Sequence, residues 1–414
     1  MRRRVALSAI GSTLAALTAG CHTILGDMPD RPPDPARDDL TDWRHEEDAS
    51  YDDLETAIDG PSVDVTDEGS LGYSNPVWMD ADGRLYGRRG NVLLQSDDGW
   101  ESVDWLHEFD TDERVYGILT TDDDRVVAGV GDDVYVSDDD RSEWDRVHRF
   151  ERGRFVFQYG HAVSGEHVVI GSWATGTADE DERPEVIYSD DGGASWERIF
   201  EPPIVSESSG LRIHDVEYDP YDDRLWVAVG TGMNTDLYYS DDGGETWTAV
   251  WDIRGERLEG IPTPPMISQI VAYPDRVIFG SNGVPEGIYL WERESAGPTS
   301  PEDLTFPHVV IDDLEDETSR EHLARRSWTL REETDGRDLC LMPFGAHSET
   351  APSVVLASPD GGESWHEVYR HDEPEEPSFT NCIGPHPDDP DETVLFTDSS
   401  GEGYFVEAEL PSFE

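Results

Sequence analysis

An eight-residue string returns three times almost unchanged, and no other feature narrows the fold as far. Ser189-Asp190-Asp191-Gly192-Gly193-Ala194-Ser195-Trp196 recurs as Ser240-Asp241-Asp242-Gly243-Gly244-Glu245-Thr246-Trp247, and again as Ser358-Pro359-Asp360-Gly361-Gly362-Glu363-Ser364-Trp365. Two weaker copies precede them. Ser137 to Trp144 keeps Ser, Asp and Trp, and Ser96 to Val103 keeps Ser, Asp and the second hydroxyl. Repetition of this kind means that one supersecondary unit is stacked many times and that neighbours bury each other's apolar faces.

The five serines stand 41, 52, 51 and 118 residues apart, the last interval holding a unit whose string has decayed. A second echo precedes each string, a β-branched run ending in Gly. Val126-Val127-Ala128-Gly129, Val168-Val169-Ile170-Gly171, Val227-Ala228-Val229-Gly230 and Val277-Ile278-Phe279-Gly280 are its clearest copies. A further strand then enters the string, as in Val134-Tyr135-Val136-Ser137 and Leu237-Tyr238-Tyr239-Ser240. Runs of β-branched and aromatic residues divided by Gly and Asp turns predict strands. Within the string, Asp can accept hydrogen bonds from nearby backbone N–H groups, Gly permits positive φ, and Trp opens the next strand as an apolar wedge. Its Asp residues are turn stabilisers on this reading.

The string resembles the Asp-box, or bacterial neuraminidase repeat, S-x-D-x-G-x-[ST]-W. The resemblance implies an all-β fold, a single β-propeller of four-stranded blades with the box in the hairpin between strands three and four. Its marker positions here are Ser189, Asp191, Gly193, Trp196, Ser240, Asp242, Gly244, Trp247, Ser358, Asp360, Gly362 and Trp365. Seven blades are expected over residues 61–414, starting near residues 70, 113, 153, 211, 266, 324 and 377; six is the competing count. The last blade shows three strands, and Pro61 to Asp67 supplies a fourth that closes the ring.

The formal charge is −63, and all thirty basic residues are Arg, with no Lys in the chain. Molar salt shortens the Debye length to roughly 3 Å and removes most of the resulting repulsion. Acid spread over the whole chain therefore reads as the surface of a protein that works in brine, of haloarchaeal type. Basic patches for nucleic-acid phosphates are missing. No metal-ligand spacing, EF-hand loop, Gly-x-Ser-x-Gly elbow or phosphate-binding loop occurs, so neither metal nor cofactor is expected.

Residues 1–21 read as an export signal. Arg2, Arg3 and Arg4 precede an uncharged run from Val5 to Leu17 that is too short to span a bilayer about 30 Å thick. The paired arginines resemble a twin-arginine signal. Leu17-Thr18-Ala19-Gly20-Cys21 resembles a lipobox, in which Cys21 is lipidated, although Thr18 departs from the Leu preferred there. Residues 22–60, rich in acid and Pro, then form a solvated spacer. The expected location is the outer face of the cytoplasmic membrane, with secretion as the alternative. Cys340 and Cys382 remain in the exported body, either bridged between neighbouring blades or as two buried thiols.

In a propeller, the loops joining strands two to three and four to one share one end, opposite the boxes. Those loops nominate Arg88, Arg154, Trp173, Arg212, His214, Asn234, Asn282 and His347 as binding residues. Arg beside aromatic and amide groups suits sugar or carboxylate recognition. Sialidases share the repeat, but the Arg-Ile-Pro motif of that family is missing; the nearest string is Leu211-Arg212-Ile213-His214. Xyloglucan-cleaving enzymes with the repeat clasp substrate between two propellers, and this chain holds material for one. Single-propeller assembly factors of the photosystem II stability type offer the third likeness. The sequence thus points to a monomeric, membrane-tethered platform for an envelope protein or glycan; a glycosidase using two channel carboxylates is the alternative. Cys21→Ser is expected to release the protein into the medium. Continued membrane retention of that variant, followed by fractionation and immunoblot, would exclude the lipid tether.

Overall fold

Short apolar runs punctuated by Gly and Asp have no helical period to follow, and they form strands throughout. The computed structural model describes residues 58–59, 62–70, 76–150, 160–173, 184–202, 212–231, 234–251, 266–281, 287–293, 297–299, 303–309, 322–324, 328–330, 339–346, 353–371, 381–383, 393–397, 404–410 and 413. These strands form seven antiparallel sheets, the blades of one propeller. Blade 4 is typical, with Ile213–Asp219 innermost, then Arg224–Thr231, Asn234–Ser240 and the outer Thr248–Trp251. The inner strands of the other blades begin at Pro76, Val115, His161, Ile267, His322 and Asn381. Blade 6 is irregular: His322–Ala324 and Trp328–Leu330 share the innermost place along Leu339–Ala346.

Burial follows the radius. The second strand of blade 2, Val126–Val130, is buried at every position, whereas the outer strand of blade 1, Asp104–Glu108, is half-buried to exposed. The core lies in the seams between sheets, which is why inner strands read as unbroken apolar runs. Asp64–Ser70 pairs antiparallel with Tyr404–Glu409 as the outer strand of blade 7, closing the ring three residues later than the sequence suggested. Pairing starts earlier still. Ile58–Asp59 runs parallel to the outer strand of blade 6, with Ile58 opposite His366.

Each intact box is a knot of short bonds. In blade 3, Ser189 Oγ donates to Asp191 Oδ1 (2.9 Å) and accepts from Gly193 N (2.8 Å). Asp191 accepts from Ser195 N (2.8 Å) and Ser195 Oγ (2.6 Å), and Trp196 Nε1 donates to Gly193 O (2.9 Å). The same bonds organise Ser240, Asp242, Gly244 and Thr246, and again Ser358, Asp360, Gly362 and Ser364. The Ser195 hydroxyl and amide hold the Asp191 carboxyl below the ordinary range, as Thr246 does for Asp242. Burial of Asp360 works the other way and is outweighed by Ser364 and Ser358.

The second box Gly does more than turn the chain. Its φ is +85° at Gly193, +95° at Gly244 and +89° at Gly362. A Cβ would also lie 2.7 Å from Ile199 at Gly244 and 2.3 Å from Ile278 at Gly362, both on the preceding blade. In the two weaker boxes this place falls to Trp100 (φ 73°) and Arg141 (φ 59°), whose own side chains enter the seam. Trp100 packs against the cluster formed by Met79 and Leu85 with Ile383 of blade 7, and the Arg141 guanidinium lies 5.5 Å over the Tyr86 ring of blade 1. In the blade 2 box, Asp138 rather than Asp139 binds Ser142 (N to Oδ1, 2.7 Å), and Ser137 Oγ instead accepts from Val126 N (2.9 Å).

Cys340 and Cys382 are two buried thiols. Cys340 alternates with Leu341 along its strand: Cys340 packs with Val271 and Tyr273 of blade 5, and Leu341 packs with Cys382 and Phe396 of blade 7. Cys340 thus faces blade 5, while Cys382 of blade 7 packs on the other face of blade 6, so the two thiols are not positioned to bridge. Burial pushes the Cys340 thiol up to about 12.

Gly362→Ala is expected to cost roughly 2–4 kcal/mol, combining positive-φ strain with overpacking. Gly99→Ala, at φ +68° with open space around it, costs only the first part. Thermal unfolding of the two variants side by side measures the difference; equal losses would remove the seam argument. The box carboxyls are depressed in the folded state, so their stabilisation is complete above the unfolded value near 4 and is lost as pH falls below it. In molar KCl, where surface repulsion is screened, the melting temperature is expected to stay level above about pH 5 and to drop below about pH 4. Asp191→Asn should reduce that drop.

Candidate functional site

The mouth of the propeller, at the end away from the boxes, is shaped by a bulge at the start of the inner strands. The register slips between Pro76 and Trp78, Val115 and Gly117, Ile213 and Asp215, and Ile267 and Gln269. A bulge re-aims the residues around it. In three of the four, the side chain after the bulge reaches sideways to the next blade. Trp78 Nε1 donates to Thr120 Oγ1 (2.9 Å), Asp215 Oδ2 accepts from Ile270 N (2.7 Å), and Gln269 Nε2 donates to Pro343 O (2.9 Å). Polar side chains on the inner ring therefore staple neighbouring blades.

Three of the sequence-nominated residues come together at the junction of blades 3 and 4. Trp173 follows the second strand of blade 3; Arg212 and His214 open the inner strand of blade 4. The Arg212 guanidinium carbon lies 4.7 Å over the Trp173 ring. The His214 ring meets the same indole edge-on, with centroids 5.2 Å apart and planes at 77°. His214 Nε2 is 3.0 Å from Gly230 O. A carbonyl can only accept, so this nitrogen carries the proton. The ring is thereby held upright against Trp173.

Glycines make the approach possible. A Cβ on Gly171 would lie 2.5 Å from Ile213, and one on Gly230 would lie 3.2 Å from Met266 and 3.4 Å from His214. The Gly echo of the repeat thus lets the next blade's inner strand close in.

Arg88 is the last residue but one of the second strand of blade 1, and Asn234 begins the third strand of blade 4, opposite Thr231. Both stand at the mouth end. Arg154, Asn282, His347 and Cys21 lie outside the described residues. Among the described residues, no three His, Cys, Asp or Glu side chains converge as a metal site requires. Two residues escaped the sequence reading. Asp215 sat among too many carboxylates to be singled out. Arg114 precedes the inner strand of blade 2 as Arg212 precedes that of blade 4, a correspondence visible once the repeats are aligned on strand one rather than on the box.

Chemically, a planar guanidinium stacked on an indole offers five N–H donors beside an apolar face. That pairing suits a carboxylate joined to a sugar ring or an aliphatic stem.

The BNR/Asp-box repeat family model matches residues 187–198 and 238–249. A chain of a mitotic checkpoint complex aligns with TM-score 0.51 at 10% identity, covering 97% of this chain and 100% of that one. A virginiamycin B lyase from Staphylococcus aureus aligns with TM-score 0.52 at 12% identity, covering 83% and 99%. YCF48 from Cyanidioschyzon merolae gives TM-score 0.48 at 11% identity, over 84% and 99%. At these identities the first two likenesses show the fold alone. No curated protein matches the chain.

Proposed function

We propose that this BNR/Asp-box propeller is an exported, lipid-anchored platform that binds a carboxylate-bearing glycan or protein at the cell envelope, with Trp173, Arg212 and His214 as contact residues. The convergence of those three side chains at the mouth carries the reading. The chain's entry point supports it. Ile58 lies opposite His366, immediately after the box residue Trp365, so the first described strand starts at the box end. The mouth is left at the other end.

The glycosidase alternative needs two uncommitted carboxyls, one of them an acid with a raised pKa. The buried carboxylates that are described have structural work. Asp80 accepts from Arg84 N (2.9 Å) and Tyr86 Oη (2.8 Å). Asp215 accepts from Val216 N (3.0 Å) and Ile270 N (2.7 Å). Asp219 accepts from Tyr221 N (3.0 Å) and binds Arg293 (2.6 Å). Burial works to raise Glu185, but His148 and Arg198 outweigh it and hold this carboxyl below the usual range. These commitments favour binding over hydrolysis.

The test is to incubate the protein lacking residues 1–57 in molar KCl with glycans released from the host envelope, following capture and products by mass spectrometry. Capture without cleavage is expected. Arg212→Ala and Trp173→Ala should each weaken it at least tenfold, the loss of one charge-assisted contact or one stacking surface. Cleavage would replace the platform reading by the hydrolase one; capture unaffected by either substitution would move the site elsewhere.

A further inference from the structure

The residue just ahead of the second strand's first box contact has a repeated task at the box end. Leu85, Val168 and Leu225 stand opposite the box serines Ser96, Ser189 and Ser240, and Val126 N donates to the box serine Ser137 (2.9 Å). Directly ahead of these four come Arg84, His167, Arg224 and Arg125. Each arginine clasps an acid of its own box: Arg84 holds Asp97, Arg125 holds Asp139 (3.3 Å) and Arg224 holds Asp241 (2.6 Å). In blade 6, where Cys340 stands opposite Ser358, the two places fall to Leu339 and Pro359, so cation and acid are lost together. Blade 3 keeps the acid, Asp190, but holds His167 in the cation's place.

His167 is packed as a ring rather than extended as a clasp. Its Nδ1 lies 2.5 Å from Tyr188 Oη, and the ring stacks on Tyr218 of blade 4 with centroids 3.8 Å apart and planes at 13°. Both tyrosines are buried and His167 is half-buried. The turns around it, residues 164–167, 189–196 and 219–224, are all described, and they surround the ring with acid. Burial first, and then the charges of Asp190, Asp223 and Glu197, push the Tyr188 hydroxyl up to about 12. Asp223 of blade 4 accepts from Tyr218 Oη (2.7 Å), and Asp219 beside it is tied to Arg293 (2.6 Å). Glu166 precedes His167, and its carbonyl accepts from Gly192 N (2.8 Å). From blade 2, Arg125 binds Asp139 and Gly192 O (3.5 Å), and a Cβ on Gly192 would lie 3.3 Å from Asp123.

We propose that His167 is a clasp worked by a proton: charged, it holds Asp190 through Tyr188, and neutral, it lets Asp190 go. A neutral imidazole has one nitrogen that donates and one that accepts, so it can share the Tyr188 bond in either sense. An imidazolium has two donors and no acceptor. Protonation therefore fixes that bond as Nδ1–H to Tyr188 Oη and turns the hydroxyl hydrogen toward a carboxylate. Asp190 is two residues beyond Tyr188, already acts on it, and stands where Asp97 and Asp241 stand in blades 1 and 4. A charged ring is also drawn to the face of Tyr218. The blade 3 turn is thus tied to its own strand and to blade 4 in acid, and the tie is lost as pH rises through the imidazole range. Molar salt screens distant charges but leaves such contact bonds in place.

Amide hydrogen exchange in molar KCl at about pH 8 and about pH 5.5, either side of the ordinary imidazole value near 6.5, tests this once rates are corrected for intrinsic exchange. In the unsubstituted protein, protection of the blade 3 turn over residues 192–196 is expected to rise about threefold at the lower pH, the size of one modest hydrogen bond. The blade 4 turn over residues 243–247, clasped by Arg224, should stay level. Asp191 does not confuse the comparison, because the Ser195 bonds hold it below the ordinary carboxyl range. His167→Arg should give the higher protection at both pH values, and His167→Gln the lower one at both. Asp190→Asn should abolish the rise. A threefold change moves the melting temperature by only about 1 °C at this chain length, so the turn itself has to be read. Equal protection at the two pH values, or a rise shared by the blade 4 turn, would overturn the clasp, and this comparison needs no variant to fold. A rise that survives His167→Gln or Asp190→Asn, or no gain at about pH 8 in His167→Arg, would overturn it as well.

Discussion

A blade of this propeller has two apolar faces and no means of covering either by itself. Everything else in the structure follows from the need to bring neighbouring sheets into contact at every seam. Contact between sheets is limited by the bulkiest backbone-to-side-chain approach, and the repeat places glycine at that approach. Gly244 meets Ile199 and Gly362 meets Ile278 at the box end; Gly171 meets Ile213 and Gly230 meets Met266 at the mouth. Where the box glycine is replaced, the seam is filled from the other side by Trp100 or Arg141. A seam cannot be left open at the ends of the chain either, since two apolar faces and a strand edge would be exposed. Asp64–Ser70, paired with Tyr404–Glu409, prevents this.

Seam contact also decides how polar residues are used. Inside the ring, Trp78, Asp215 and Gln269 reach across to the next blade, and Thr397 Oγ1 donates to Pro76 O (3.3 Å) across the closing seam. Each satisfies a group that burial would otherwise penalise. Box-end arginines and carboxylates knit the hairpins in the same way. Pairing of this kind continues at the mouth, where Arg149 binds Asp133 (3.1 Å).

Much of the architecture was legible in the sequence because each blade repeats one local problem. The boxes, the β-rich echo ending in Gly, the decayed fifth unit and the N-terminal closing strand can be read by comparing the chain with itself, and seven blades follow. Individual departures were not legible. Nothing in Ser137-Asp138-Asp139-Asp140 says that Asp138 takes the turn while Ser137 turns back to Val126 N. The echo glycines read as turn signals, yet Gly171 and Gly230 serve as contact surfaces for the next blade. Trp173, Arg212 and His214 could each be nominated from a loop position, but their meeting could not, since Trp173 and Arg212 are carried by different blades.

By itself, then, the sequence determined the unit: strand lengths, the hydrogen-bonded turn and the spacing that makes one blade follow another. These are local properties, set by hydrogen bonds and dihedral preferences within a few residues. Tertiary structure alone decided which faces meet. It put Cys340 against blade 5 and Cys382 of blade 7 against the other face of blade 6, and it turned Asp215 into a staple. The reason is that a seam joins residues some fifty positions apart, such as Asp215 and Ile270, through packing and backbone approach. No pattern inside either repeat encodes that approach.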